Sequence, residues 1–96
     1  MKNIKITKSE KESWDYIKNY NHIDFLEPGQ IVIYKNKYGT VIGCEKQYII
    51  IHIPGEGTGV YNPSWNIAYL DVNGKIIKDF REEKYKSRDF YQGNKL

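Results

Sequence analysis

A chain of 96 residues with a formal charge of +3 has room for one domain and one small core, and leaves none for a second module or an elaborate active site. Its 15 basic side chains are interleaved with 12 acidic ones, so the strong basic excess of a dedicated duplex binder is missing. A single cysteine excludes an intramolecular disulfide and a Cys-based zinc site; with no apolar run of about 18 residues and no signal-peptide core, the expectation is a cytoplasmic protein.

In "TKSEKESWDYIKNY", Ser9 and Glu12 have capping-box spacing, and Trp14, Ile17 and Tyr20 or Asn21 follow at near-helical intervals. This predicts a short helix over about 9–20, with Trp14 and Ile17 packed on a sheet. Pro28 and Gly29 then break the periodicity. From Gln30, "QIVIYKN", "GTVIGC" and "QYIIIHI" are rich in β-branched and aromatic residues and separated by turn chemistry, which predicts three strands. In the third, Ile49, Ile51 and Ile53 alternate with Tyr48, Ile50 and His52; apolar on both sides, it is expected to be central. Asn73-Gly74 inside "IAYLDVNGKIIKDF" is the strongest short hairpin signal in the chain and supplies two more strands. The charged tail, about 81–96, is expected to hold a short helix to about Arg88 and then fray. The prediction is a single, mainly β (α+β) domain over 1–96. Its N-terminal short helix precedes a five-stranded, strongly bent antiparallel sheet or small β-barrel with its core over about 28–80.

The run "PGQIVIYKNKYGTVIGCEKQYIIIHI" sets a turn, a strand, a Tyr-Gly-Thr-Val restart and a hydrophobic strand in succession. It resembles the opening meander of Tudor-like small β-barrels, over roughly residues 28–80. The resemblance implies a barrel that binds nucleic acids, nucleotides or peptides through aromatic residues at one rim, although a fold by itself assigns no ligand.

The stretch "HIPGEGTGVYNPSW" places Gly55, Gly57 and Gly59 at alternate positions, with the Thr58 hydroxyl and the Glu56 carboxylate between them. Neither the dinucleotide nor the Walker fingerprint is matched. Two readings stand: an anion cradle of backbone N–H groups, from which Glu56 must point away, or a hairpin or barrel corner. Beyond it Tyr61 and Trp65 bracket Asn62, Pro63 and Ser64, aromatic surface around the donors and acceptors that reading a base edge requires; the alternative for Trp65 is a place in the core. Nine tyrosines, several beside lysine as in Tyr34-Lys35 and Lys37-Tyr38, suit base stacking combined with phosphate contact, and equally a protein interface. His22 and His52 have no metal-ligand spacing, Cys44 behind Gly43 reads as structural, and no catalytic motif or cofactor fingerprint is present.

Together these features predict a non-enzymatic binding protein that captures a phosphate-bearing nucleotide or a short single strand of nucleic acid. The expected rim comprises Tyr48, His52, Gly55, Gly57, Thr58, Gly59, Tyr61, Asn62 and Trp65, with Lys35, Lys37 and Lys46 meeting the phosphate charge. Abundant Ile, Lys and Asn with scarce Arg suits a low-GC bacterium or its phage, where sequestering a host nucleotide signal is one concrete form of this role. A homo-oligomer would enclose a ligand that one shallow surface cannot. The alternative is a protein-binding inhibitor or adaptor that docks its aromatic surface on a host protein, and a hydrolase ranks third.

Overall fold

The computed structural model describes residues 8–86. Helix α1 (Lys8–Asn21) precedes six antiparallel strands: β1 (Ile31–Tyr34), β2 (Lys37–Glu45), β3 (Tyr48–Ile53), β4 (Gly57–Tyr61), β5 (Ile67–Leu70) and β6 (Ile76–Asp79). They form one sheet in the order β4-β3-β2-β1-β5-β6, so the first four strands meander and β5 returns to pair with β1. No helix among the described residues is long and apolar enough to cross a membrane.

The helix buries Trp14, Ile17 and Asn21, one stripe at helical spacing, and turns Tyr20 outward. It already includes Lys8 and Ser9, so Ser9 lies within the first turn rather than capping it. Its end is a left-handed cap: His22 takes φ 59°, the Ile23 N–H donates to the Lys18 carbonyl, and the Ile23 side chain drops into the core. The helix and the loop after it cover one face of the sheet. There Trp14, Ile17, Ile23 and Leu26 pack on Val32, Val41, Ile49, Ile51, Ile53, Ile67 and Tyr69.

The mainly β architecture with a leading helix is as the sequence predicts, and the sheet is bent and open rather than closed into a barrel. Tyr34 of β1 and Tyr61 of β4 meet edge to face at 4.7 Å on the covered side. Flat, those strands would stand about 14 Å apart across β2 and β3, and the curl that brings the rings together is helped by a bulge in β2 between Val41 and Gly43. Gly39 permits a close approach in the same strand: a Cβ there would lie 2.7 Å from Ile51 Cγ2 and 3.0 Å from the His52 carbonyl oxygen.

Two expectations are corrected. The sheet has six strands rather than five, because the glycine-rich stretch is itself a strand, β4, paired along its whole length from Ile53↔Gly57 to Ile49↔Tyr61. And β3 lies second from the edge, sealed on one face only: Ile49, Ile51 and Ile53 are buried while His52 is exposed on the other. The one 14-residue helix lies on the first face, and on the second Ile33, Ala68 and Leu70 form a separate, smaller buried cluster. Of the charged tail, residues 83–86 form a single helical turn, and the rest of the expected helix and fraying end lies outside the described residues.

Candidate ligand-binding surface

The β1–β2 turn and the β4–β5 loop converge on one spot, and each is fixed by hydrogen bonds that leave its aromatic side chains free. Lys35 is left-handed (φ 60°); its N–H donates to the Asn66 carbonyl at 2.7 Å and its carbonyl accepts from Arg81 Nη1 at 3.3 Å. In the loop, Asn62 Oδ1 accepts from the Ser64 N–H at 2.9 Å, an Asx turn, and the Trp65 N–H returns to the Asn62 carbonyl. The buried Tyr69 hydroxyl donates to the Pro63 carbonyl at 2.6 Å, pinning the loop from beneath, and burial pushes the Tyr69 phenol well above its ordinary value. The buried Asn66 amide holds the Glu82 backbone and carboxylate, tying the loop to the segment after β6.

Between these anchors the Trp65 indole stands 49% exposed. Its ring lies 6.2 Å from Tyr34, which in turn packs on Tyr61. The Lys35 ammonium sits over both the Trp65 and Tyr34 rings, at 5.1 and 5.3 Å. Beneath the turn, Arg81 is buried and makes a two-pronged ion pair with Asp79, Nε to Oδ1 at 2.9 Å and Nη2 to Oδ2 at 3.0 Å. Burial alone raises the Asp79 carboxyl; the hydrogen bonds from the Arg81 side chain and backbone, with the Arg81 and Lys86 charges, outweigh it and hold the group below its usual range.

Of the residues expected at one rim, the structure gathers Tyr61, Trp65 and Lys35, and distributes the rest. Gly55 and Gly57, with φ of +86° and +98°, shape the β3–β4 turn, and Gly59 leaves room for the Tyr61 ring, 3.1 Å from where its Cβ would be. These glycines serve a hairpin, and β4 is engaged in the β3 ladder rather than curved into a cradle. Lys37 is ion-paired to Glu56 across that turn. His52 and Thr58 face each other on the uncovered face, Nδ1 to Oγ1 3.3 Å, away from Trp65. Lys46 lies in the turn at the far end of β2 from Lys35 and Lys37. Tyr48 and Asn62 both line a polar cleft of about 290 Å³ against the helix, where Tyr16 and Tyr20 stack at 5.4 Å and Asn21, Gln47 and Ser64 complete the walls.

Sequence reasoning took Tyr20 only for its helical interval and passed over Tyr16, although a spacing of four on a helix is the signal for a stacked pair; it also passed over Arg81, whose signal is an arginine two residues after an aspartate at a strand end. Cys44 is half-buried, its thiol donates to the Glu10 carbonyl, and burial followed by the Glu10 charge pushes it up to about 11, so at neutral pH it is a thiol rather than a nucleophilic thiolate. No group of three or more potential metal-ligating side chains occurs among the described residues. Comparison with protein-family models, with curated proteins and with solved structures finds no match.

Proposed function

We propose that this chain is a non-enzymatic binding protein whose Trp65–Tyr34–Lys35 surface captures a short single strand of nucleic acid or a phosphate-bearing nucleotide. The observation that carries the reading is the exposed indole, held in place from below and beside, with a lysine ammonium at its face. A base stacks on the indole, and the flexible Lys35 stem swings its ammonium from the ring to the phosphate; the two terms that dominate single-strand binding are then supplied by neighbouring residues. The surface is open rather than enclosed, which suits a strand passing over it better than a buried mononucleotide. Sequestering a host nucleotide signal in the cytoplasm, for a phage-encoded chain, is one role such a surface serves.

Titration calorimetry of the protein against short oligonucleotides, adenine nucleotides and cyclic dinucleotides tests this. Binding is expected to weaken as salt rises, and Trp65→Ala is expected to weaken it about 5- to 150-fold, the equivalent of roughly 1–3 kcal/mol for one lost stacking platform. No heat with any of these ligands overturns the reading. The second reading, a protein-docking adaptor, is favoured by a separate observation: Ile31, Ile42 and Val60 are all exposed on the sheet face opposite the helix.

A further inference from the structure

The two edges of the sheet are built differently. Strand β6 carries Lys78 and Asp79 and is bulged against β5 between Tyr69 and Leu70, devices that stop an edge from pairing with another chain. Strand β4, Gly-Thr-Gly-Val-Tyr, has no charge, no proline and no bulge along its five residues. Its partner on one side is β3, and among the described residues no strand lies on the other. Its outward side chains are Thr58 and Val60, both exposed, and Val60 at 55% stands in line with Ile50 of β3.

We propose that β4 is the surface through which two copies of this chain join, edge to edge and antiparallel, in a register centred on Gly59. A two-fold axis at Gly59 sets each Val60 opposite the other copy's Thr58 on the outer face, a pairing of two β-branched residues. Each Gly57 then meets the other copy's Tyr61 on the covered face. Such an axis brings like beside like, so a charged edge would repel its own image; β4 is neutral from end to end and is its own complement. The aliphatic pair Ile50 and Val60, side by side on β3 and β4, continues into the second copy instead of ending at water. A five-residue edge buries less than the roughly 800 Å² per partner of a standard complex, so the dimer forms in a concentration-dependent way.

Sedimentation across concentrations from micromolar to millimolar is expected to show monomer passing to dimer. Val60→Lys, which guards the edge on an exposed position, is expected to weaken the dimer about ten-fold or more while circular dichroism and the melting temperature of the dilute protein stay as in the parent. The double variant Thr58→Cys, Val60→Cys is expected to give a covalent dimer on oxidation, bridged between positions 58 and 60 of different copies. A monomer at millimolar concentration, or a dimer indifferent to Val60→Lys, overturns the proposal. So does a monomer whose β4 amides gain exchange protection only when an unrelated extended peptide is added, which would give the edge to that peptide.

Discussion

On the helix-covered face of the sheet Ile49, Ile51 and Ile53 are sealed from water, whereas on the opposite face Ile31, Ile42 and Val60 stand roughly half exposed. The two sets are chemically alike. What separates them is supply: α1 and the loop that follows it spend Trp14, Ile17, Ile23 and Leu26 on the first face. On the second face, Ile33, Ala68 and Leu70 pack together in a small buried patch. The covered face therefore carries most of the core, and the exposed part of the other, around Ile31, Ile42 and Val60, is free for contact with other molecules.

The sharpest way to break this contrast is to place the same charge on each face. Ile51→Asp puts an unpaired carboxylate among Val41, Ile49 and Ile53, and the protein is expected to be unfolded by far-ultraviolet circular dichroism. Ile42→Asp, on the bare face, is expected to keep a cooperative melt close to that of the parent. A folded Ile51→Asp protein removes the distinction between the faces.

A smaller effect separates two glycines of β2. At Gly39 an added Cβ meets Ile51 Cγ2 at 2.7 Å and the unyielding His52 carbonyl at 3.0 Å, so Gly39→Ala is expected to cost about 1–3 kcal/mol in denaturant melts, as overpacking does. At Gly43 the nearest atom is Ile50 Cδ1 at 3.6 Å, ordinary contact, and Gly43→Ala is expected to be nearly neutral. Equal costs at the two positions would mean that Ile51 and the His52 backbone give way to a side chain at Gly39.

Much of this architecture is legible in the residues. The alternation of β3, the Asn73-Gly74 turn and the helical spacing of Trp14 and Ile17 each follow from local chemistry. Two things are not local. Whether Ile50 is buried depends on whether any segment is left to cover it, which alternation within a strand cannot state. Whether Gly57 and Gly59 form a loop or a strand depends on β3 offering five residues to pair with, and glycine's own preferences argue the other way. For the candidate surface, Trp65 and Lys35 are legible as types, but their meeting needs the β4–β5 loop to cross beside the β1–β2 turn. That crossing is set by the return of β5 to β1 and by Asn66 and Arg81, residues whose roles exist only in three dimensions.

Acid tests the underside of that surface. Because the Asp79 carboxyl is held below its ordinary, unfolded value, it contributes stability that is present above that value and is lost as pH falls through the folded one. Asp79→Asn removes the carboxylate charge from the two-pronged pair with the buried Arg81 guanidinium, so at neutral pH the variant is expected to melt below the parent. The gap is expected to narrow on acidification through the carboxylate range, as the parent loses the same interaction. A gap that stays constant to acid pH would show that the ion pair adds nothing to the fold.

A small expected effect on stability belongs to the residue with the largest proposed role in binding. The chain has two tryptophans, Trp14 at 6% exposure in the core and Trp65 at 49% over Tyr34. Trp65→Ala removes an exposed cation–π contact and a tilted ring contact, and the loop beneath keeps its own hydrogen bonds through Asn62, Pro63 and Asn66. The expected change is therefore about 0.5 kcal/mol or less, the scale of an ordinary surface substitution. Fluorescence separates the two rings in the same samples. In the parent, iodide is expected to quench Trp65, drawn in by the adjacent Lys35 charge. In Trp65→Ala, the remaining emission comes from Trp14, blue-shifted and shielded from the quencher. If the substitution instead costs several kcal/mol, Trp65 is holding the curled edge of the sheet together, and its exposure is no longer an argument for a ligand.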